Sequence, residues 1–78
     1  MTIQEKFGVR VKELRLQKEL SQEKLANIAE IDRTYMTSLE NGHRNVSLQN
    51  IEKIVTALGI DLTEFFNAPS FKAKKKSK

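Results

Sequence analysis

A chain of 78 residues, 38% hydrophobic and 31% charged, fits one small globular domain and leaves no room for a large enzyme. With no Cys and a single His, it offers no disulfide, no thiolate nucleophile and no Cys–His metal cluster; nothing calls for a metal or another cofactor. The net charge of +4 points weakly to a polyanion: five of the fourteen Lys and Arg fall in the last seven residues, leaving nine basic against ten acidic in residues 1–71.

The opening Met1-Thr2-Ile3-Gln4-Glu5-Lys6 is polar, unlike a secretion leader. No apolar run approaches the roughly 18–20 residues needed to cross a bilayer. A cytoplasmic protein without a membrane partner is expected. Three Gly and one Pro are too few for the turns of an all-β fold, and no segment alternates apolar with polar residues for long. The fold class is therefore all-α.

Thr2 and Glu5 have the spacing of a capping box, and Phe7, Val11 and Leu14 follow at helical intervals, which predicts a first helix over 3–18. Ser21 caps a short second helix over 22–29, with Leu25, Ala26 and Ala29 as its apolar stripe. Asp32 caps a third over 33–40, inward at Met36 and Leu39 and stopped by Asn41-Gly42. Ser47 caps a fourth, in which Leu48, Ile51, Ile54, Val55 and Leu58 form the apolar face until Gly59. Asp61 and Glu64 repeat the cap before a brief fifth helix with Leu62, Phe65 and Phe66. Domain 1–69 ends there. Beyond it, 70–78 is expected to be a disordered, Lys-rich tail with Phe71 as its one large apolar residue, either a loose phosphate-binding arm or a solubilising end.

Two short helices joined by about three residues, each with one narrow apolar face, cannot lie antiparallel along their length and must cross. A helix-turn-helix does this, and its second helix projects a face that fits the major groove of B-DNA, roughly 12 Å wide. In the third helix that face carries Arg33, Thr34, Thr37 and Ser38, with Tyr35 at its edge. Arg pairs with guanine in bidentate fashion, Thr offers a methyl to thymine and a hydroxyl to base or phosphate, and Ser donates or accepts. A solvated helix without a partner would more usually carry Glu and Lys here.

The stretch Leu20-Ser21-Gln22-Glu23-Lys24-Leu25-Ala26, with Ile31-Asp32-Arg33-Thr34-Tyr35-Met36 and Leu39-Glu40-Asn41-Gly42, resembles the phage-repressor-like (XRE-type) helix-turn-helix family over about residues 7–66. Asp-Arg-Thr-Tyr, Glu-Asn-Gly and then Arg44-Asn45-Val46-Ser47-Leu48 look most like the controller proteins of bacterial restriction-modification systems. The resemblance implies a five-helix, non-enzymatic regulator that dimerises on pseudo-palindromic double-stranded operators and activates or represses according to its concentration. Gln22 matches the phosphate contact at the start of the second helix, which a helix N-terminus also favours. Arg33 and Thr34 match base-reading positions, Thr37 and Ser38 groove-facing ones, and Tyr35 one that addresses phosphate or base. Arg44, Asn45 and Ser47 match a backbone clamp before the fourth helix; the chain departs from some relatives at His43, where a Lys or Arg is commoner, so a phosphate contact at His43 is expected to be weaker or pH-dependent. His43 also reads as a solvated turn residue, Tyr35 as packing, and Ser47 as a cap in either case. The resemblance further suggests that Arg15 pairs with Glu40.

Ile60, Leu62, Phe65 and Phe66 are more apolar surface than a short terminal helix buries alone. Phe65 and Phe66 point about 100° apart, so one is expected in the core and the other against a second subunit of a homodimer. A two-fold pair would set its recognition helices roughly 34 Å apart. An activator would also touch RNA polymerase, for which exposed acids such as Glu23 or Glu30 are available. A phage-type repressor or an antitoxin regulator uses the same machinery, and a helical adaptor without DNA binding would lack the Arg, Thr and Ser of the third helix. Catalysis is disfavoured, since the carboxylates at helix starts read as caps.

Overall fold

The computed structural model describes residues 1–73. Five helices, α1 (Ile3–Gln17), α2 (Gln22–Ala29), α3 (Arg33–Glu40), α4 (Leu48–Ala57) and α5 (Leu62–Phe66), are followed by a single 3-10 turn, Pro69–Phe71. Among the described residues there is no strand, and no helix is long and apolar enough to cross a membrane.

Each helix begins where a side-chain oxygen accepts an otherwise unpaired backbone N–H. On α1 the capping box closes from both sides, the Glu5 N–H donating to Thr2 Oγ1 at 3.1 Å and the Thr2 N–H to Glu5 Oε1 at 2.8 Å. That second bond stabilises the carboxylate and holds the Glu5 carboxyl below its usual range. Ser21, Asp32, Ser47 and Asp61 accept from the N–H groups of Lys24, Tyr35, Asn50 and Glu64.

α1 packs on α3, α2 on both α3 and α4, and α5 on α4. Between them Val11, Leu25, Met36, Leu39, Ile54, Val55, Leu58 and Phe65 are fully buried. Each contributes about 1.5–3 kcal/mol by leaving water.

Three expectations need correction. Leu48 belongs to the sequence pattern of the α4 core face, yet it is 84% exposed, while Ile51 one turn on packs against the core. Of Phe65 and Phe66, both interface candidates with one of the two expected in the core, Phe65 is the wholly buried one and drops out of the interface set, while Phe66 is 37% exposed. Packed structure also passes the expected end at residue 69. The Phe71 ring lies 5.0 Å from that of Phe66 and 6.2 Å from that of Phe65, joining Phe7 in a four-ring aromatic cluster. The bulk of the expected tail, residues 74–78, lies outside the described residues.

Two features absent from the helix count fix α3 against α1. A Cβ on Gly8 would stand 2.4 Å from the Leu39 carbonyl oxygen and 2.5 Å from that of Glu40, so the lack of a side chain lets the C-terminal turn of α3 touch the α1 backbone. Two turns further along α1, Arg15 Nε donates to Glu40 Oε2 at 2.7 Å and Nη2 to Oε1 at 3.1 Å, both residues being buried. The expected pair is thus present as a bidentate fork. Its spare Nη1 donates to the Leu20 carbonyl at 2.8 Å, tying down the chain entering α2.

Candidate nucleic-acid interface

α2 ends at Glu30, whose backbone takes the left-handed conformation at φ 59°. This reverses the chain within two residues, the Ile31 N–H returning to the Ala26 carbonyl at 2.9 Å. Asp32 then caps α3, so its first residues, Arg33 and Thr34, emerge directly from the turn and are exposed. Met36 and Leu39 are buried underneath, as the periodicity requires.

On the outer side Arg33, Thr34, Thr37, Ser38, Asn41 and His43 line one shallow, open depression. Arg33, Thr34 and His43 are exposed, while Thr37 and Ser38 are half-buried in its wall. The His43 N–H donates to the Ser38 carbonyl at 3.0 Å, which folds the turn after α3 back beside the helix.

Four arginines divide into two kinds. Arg15 is committed to Glu40, and Arg10 to Glu13 and to the carbonyls of Phe65 and Glu64 at the end of α5. Among the described residues, Arg33 and Arg44 form no ion pair and both are exposed. The Arg44 guanidinium sits 5.4 Å from the centroid of the Tyr35 ring, which links the loop before α4 to the edge of α3. Tyr35 is half-buried against the core with its hydroxyl 3.4 Å from Asn50 Nδ2, so it is a packing residue and a surface residue at once. Asn45 accepts from the Gln4 amide, and Ser47 caps α4 while remaining exposed.

Gln22 differs from expectation. Rather than reaching into solvent, its side chain is half-buried and turned inward, Nε2 donating to Glu40 Oε1 and Oε1 accepting from the Thr37 hydroxyl, each at 2.9 Å. An anion at the start of α2 would therefore meet backbone N–H groups there before it met the Gln22 amide.

Free guanidinium groups and hydroxyls on the outer side of the second helix of a crossing pair are what a helix-turn-helix presents, and a helix-turn-helix family profile matches residues 11–65. The control protein C.MunI of a Mycoplasma species is 54% identical over 63 residues, covering 80% of this chain and 85% of that protein. The chain belongs to the helix-turn-helix family of restriction-modification controllers. The crystal structure of the controller C.AhdI from Aeromonas hydrophila superposes with a TM-score of 0.78 at 52% identity, covering 81% of this chain and 96% of that one. C.Esp1396I, solved bound to a 25 base pair operator site, superposes with a TM-score of 0.79 at 32% identity, covering 85% and 87% respectively.

Within this helix-turn-helix domain, sequence reasoning missed Asn41, Asn50 and Gln4. In the sequence pattern Asn41 only stops α3, yet it also lines the depression. Asn50 lies on the α4 face that approaches Tyr35, a relation visible only once two helices are docked. Gln4 is forty-one positions from its partner Asn45, and no local pattern joins them. Gly8, an isolated glycine in a helical run, did carry a signal of close backbone approach.

Proposed function

We propose that this controller-family protein is a sequence-specific, DNA-binding transcription regulator that grips a pseudo-palindromic operator as a homodimer, with α3 in the major groove. The observation that carries the reading is the division of the arginines: two are consumed inside the fold, and the two without a carboxylate partner, Arg33 and Arg44, flank the exposed face of α3. An unpaired guanidinium among hydroxyls suits guanine and phosphate. Arg33 and Thr34, with Thr37, Ser38 and Asn41 behind them, address base edges. Arg44, Asn45, His43 and Ser47, with the exposed N-terminus of α2, address the sugar-phosphate backbone.

The dimer reading is supported by an apolar depression whose walls include Leu48, Ile51, Leu62 and Phe66. Leu48, Leu62 and Phe66 are 84%, 46% and 37% exposed, more apolar surface than one small body would leave wet. Ile60 is half-buried and shares a second depression with Leu62. Dimerisation makes operator occupancy rise steeply with concentration, which suits a regulator that activates early and represses later. Activation needs contact with RNA polymerase in the cytoplasm, and Glu23 and Glu30 are exposed acids available for it.

Selection of bound sequences from a random duplex pool tests the proposal. Enrichment of a two-fold-related pair of half-sites about one helical turn apart is expected. A pool that emerges unenriched would refute it, and a monomer persisting in sedimentation at high micromolar concentration would remove the dimer.

A further inference from the structure

The buried Arg15–Glu40 pair does not end at Glu40. Glu40 Oε1 accepts from Gln22 Nε2 at 2.9 Å, and Gln22 Oε1 accepts from the Thr37 hydroxyl at 2.9 Å. Each link has only one possible direction. A carboxylate forked by a guanidinium accepts and does not donate, so it must face the NH2 end of the Gln22 amide. This turns the amide oxygen toward Thr37, and an amide oxygen can only accept. The single hydroxyl proton of Thr37 is therefore drawn toward Gln22, and its other acceptor, the Arg33 carbonyl at 3.2 Å, is a backbone group one turn back on the same helix. What Thr37 presents to the depression on α3 is a lone pair and a methyl group, with no donor.

We propose that Gln22 is a positioning residue that sets the hydrogen-bonding polarity of Thr37, so that Thr37 requires an exocyclic amino group from the base it faces. Adenine N6 and cytosine N4 supply one in the major groove, while guanine O6 and thymine O4 oppose a lone pair with a lone pair. A fixed charge in the interior is thereby converted into an amino-versus-keto choice at the surface, without touching DNA itself. The inference rests on α3 entering the major groove, and its test separates the two ideas.

In the duplex-pool selection, the position facing Thr37 is the one whose preference changes in Thr37→Val, which keeps the shape and removes the lone pair. At that position the wild-type protein should favour adenine or cytosine over guanine or thymine by about 5–10-fold, the worth of one neutral hydrogen bond. Removing the amino group from that one base, by placing purine for adenine or 2-pyrimidinone for cytosine, should lower wild-type affinity by a similar factor. Gln22→Leu removes the shorter of the two acceptors and leaves the hydroxyl only the longer bond to the Arg33 carbonyl at 3.2 Å, from which it can turn to donate to a keto oxygen, so the amino-to-keto ratio should fall toward about 2-fold at that position alone. If Gln22→Leu does not fold, Gln22→Asn, too short to span Glu40 and Thr37 together, takes its place.

A preference for thymine or guanine at that position, a selection that Thr37→Val leaves unaltered, or a uniform loss in Gln22→Leu with base preference intact would each overturn the inference while leaving DNA binding in place. Failure of the wild-type protein to select any sequence would instead sink the DNA reading itself.

Discussion

Replacing Gly8 by alanine should destabilise the fold although it improves the helix in which it sits. In an open helix the change would gain about 0.8–1 kcal/mol. Here the added Cβ would lie 2.4 and 2.5 Å from the carbonyl oxygens of Leu39 and Glu40. Carbon–oxygen contacts settle near 3.3 Å or beyond, so the two backbones must separate by about 1 Å. Neither neighbour is the free end of a flexible side chain, and the displacement falls on the turn carrying Glu40. Overpacking of this kind costs about 1–3 kcal/mol, and backbone atoms on both sides place it at the top of that range. The net loss is about 2 kcal/mol after the propensity gain, or a Tm lower by roughly 8–16 °C for a domain this size. Thermal unfolding followed by circular dichroism, at one fixed protein concentration because dimer stability varies with concentration, measures it. Gly59→Ala is the comparison: nothing lies within 4 Å of its Cβ position, and its φ of 78° alone predicts a loss of about 1 kcal/mol. An unchanged or raised Tm in Gly8→Ala would show that α1 and α3 are not in backbone contact, and the account of how α3 is seated would fail.

Arg33→Ala should cost about 1–3 kcal/mol on the selected operator and relax one base position, whereas Arg44→Ala should weaken all sequences alike and lower the salt slope by about one; titrations at several salt concentrations distinguish them. Arg15→Ala leaves Glu40 buried without its cation and should remove about 3–5 kcal/mol of stability in urea denaturation, and an unchanged midpoint would refute a structural role for the pair. Glu30→Gly should raise stability by up to about 1 kcal/mol, because Glu30 holds a positive φ that glycine adopts freely; a drop in Tm would contradict this. The folded-state pKa of Glu5 lies below the usual 4.5, owing first to the Thr2 backbone N–H. The capping bond therefore stabilises the fold above the unfolded-state pKa and is lost as pH falls through the lower folded value. The stability gap between the wild-type protein and Glu5→Gln should be full near neutrality and shrink below about pH 4.5, and a gap that widened in acid would reverse the sign of the argument.

The sequence by itself determined the five helices and most of their limits, because caps and stops act over three or four residues and leave their mark in the local order of Thr2 and Glu5, Ser21, Asp32, Ser47, Asp61 and the glycines. It also determined the inward pair Met36 and Leu39 and the exposed pair Arg33 and Thr34, since a helix of known start has fixed faces. Only the tertiary structure decided what lies between helices. Leu48 fits the apolar period of α4 but stands in solvent, because the period fixes a direction and not whether a neighbour is there to meet it. Phe65 and Phe66 are indistinguishable by type, and the approach of Phe7 and the rest of the core buried the first and left the second at the surface. Gln22 has the residue type and place of a phosphate contact, yet Glu40 and Thr37, eighteen and fifteen residues away, draw its amide inward. Hydrogen bonds between distant residues form only after helices dock, and no short-range pattern in the chain encodes their direction.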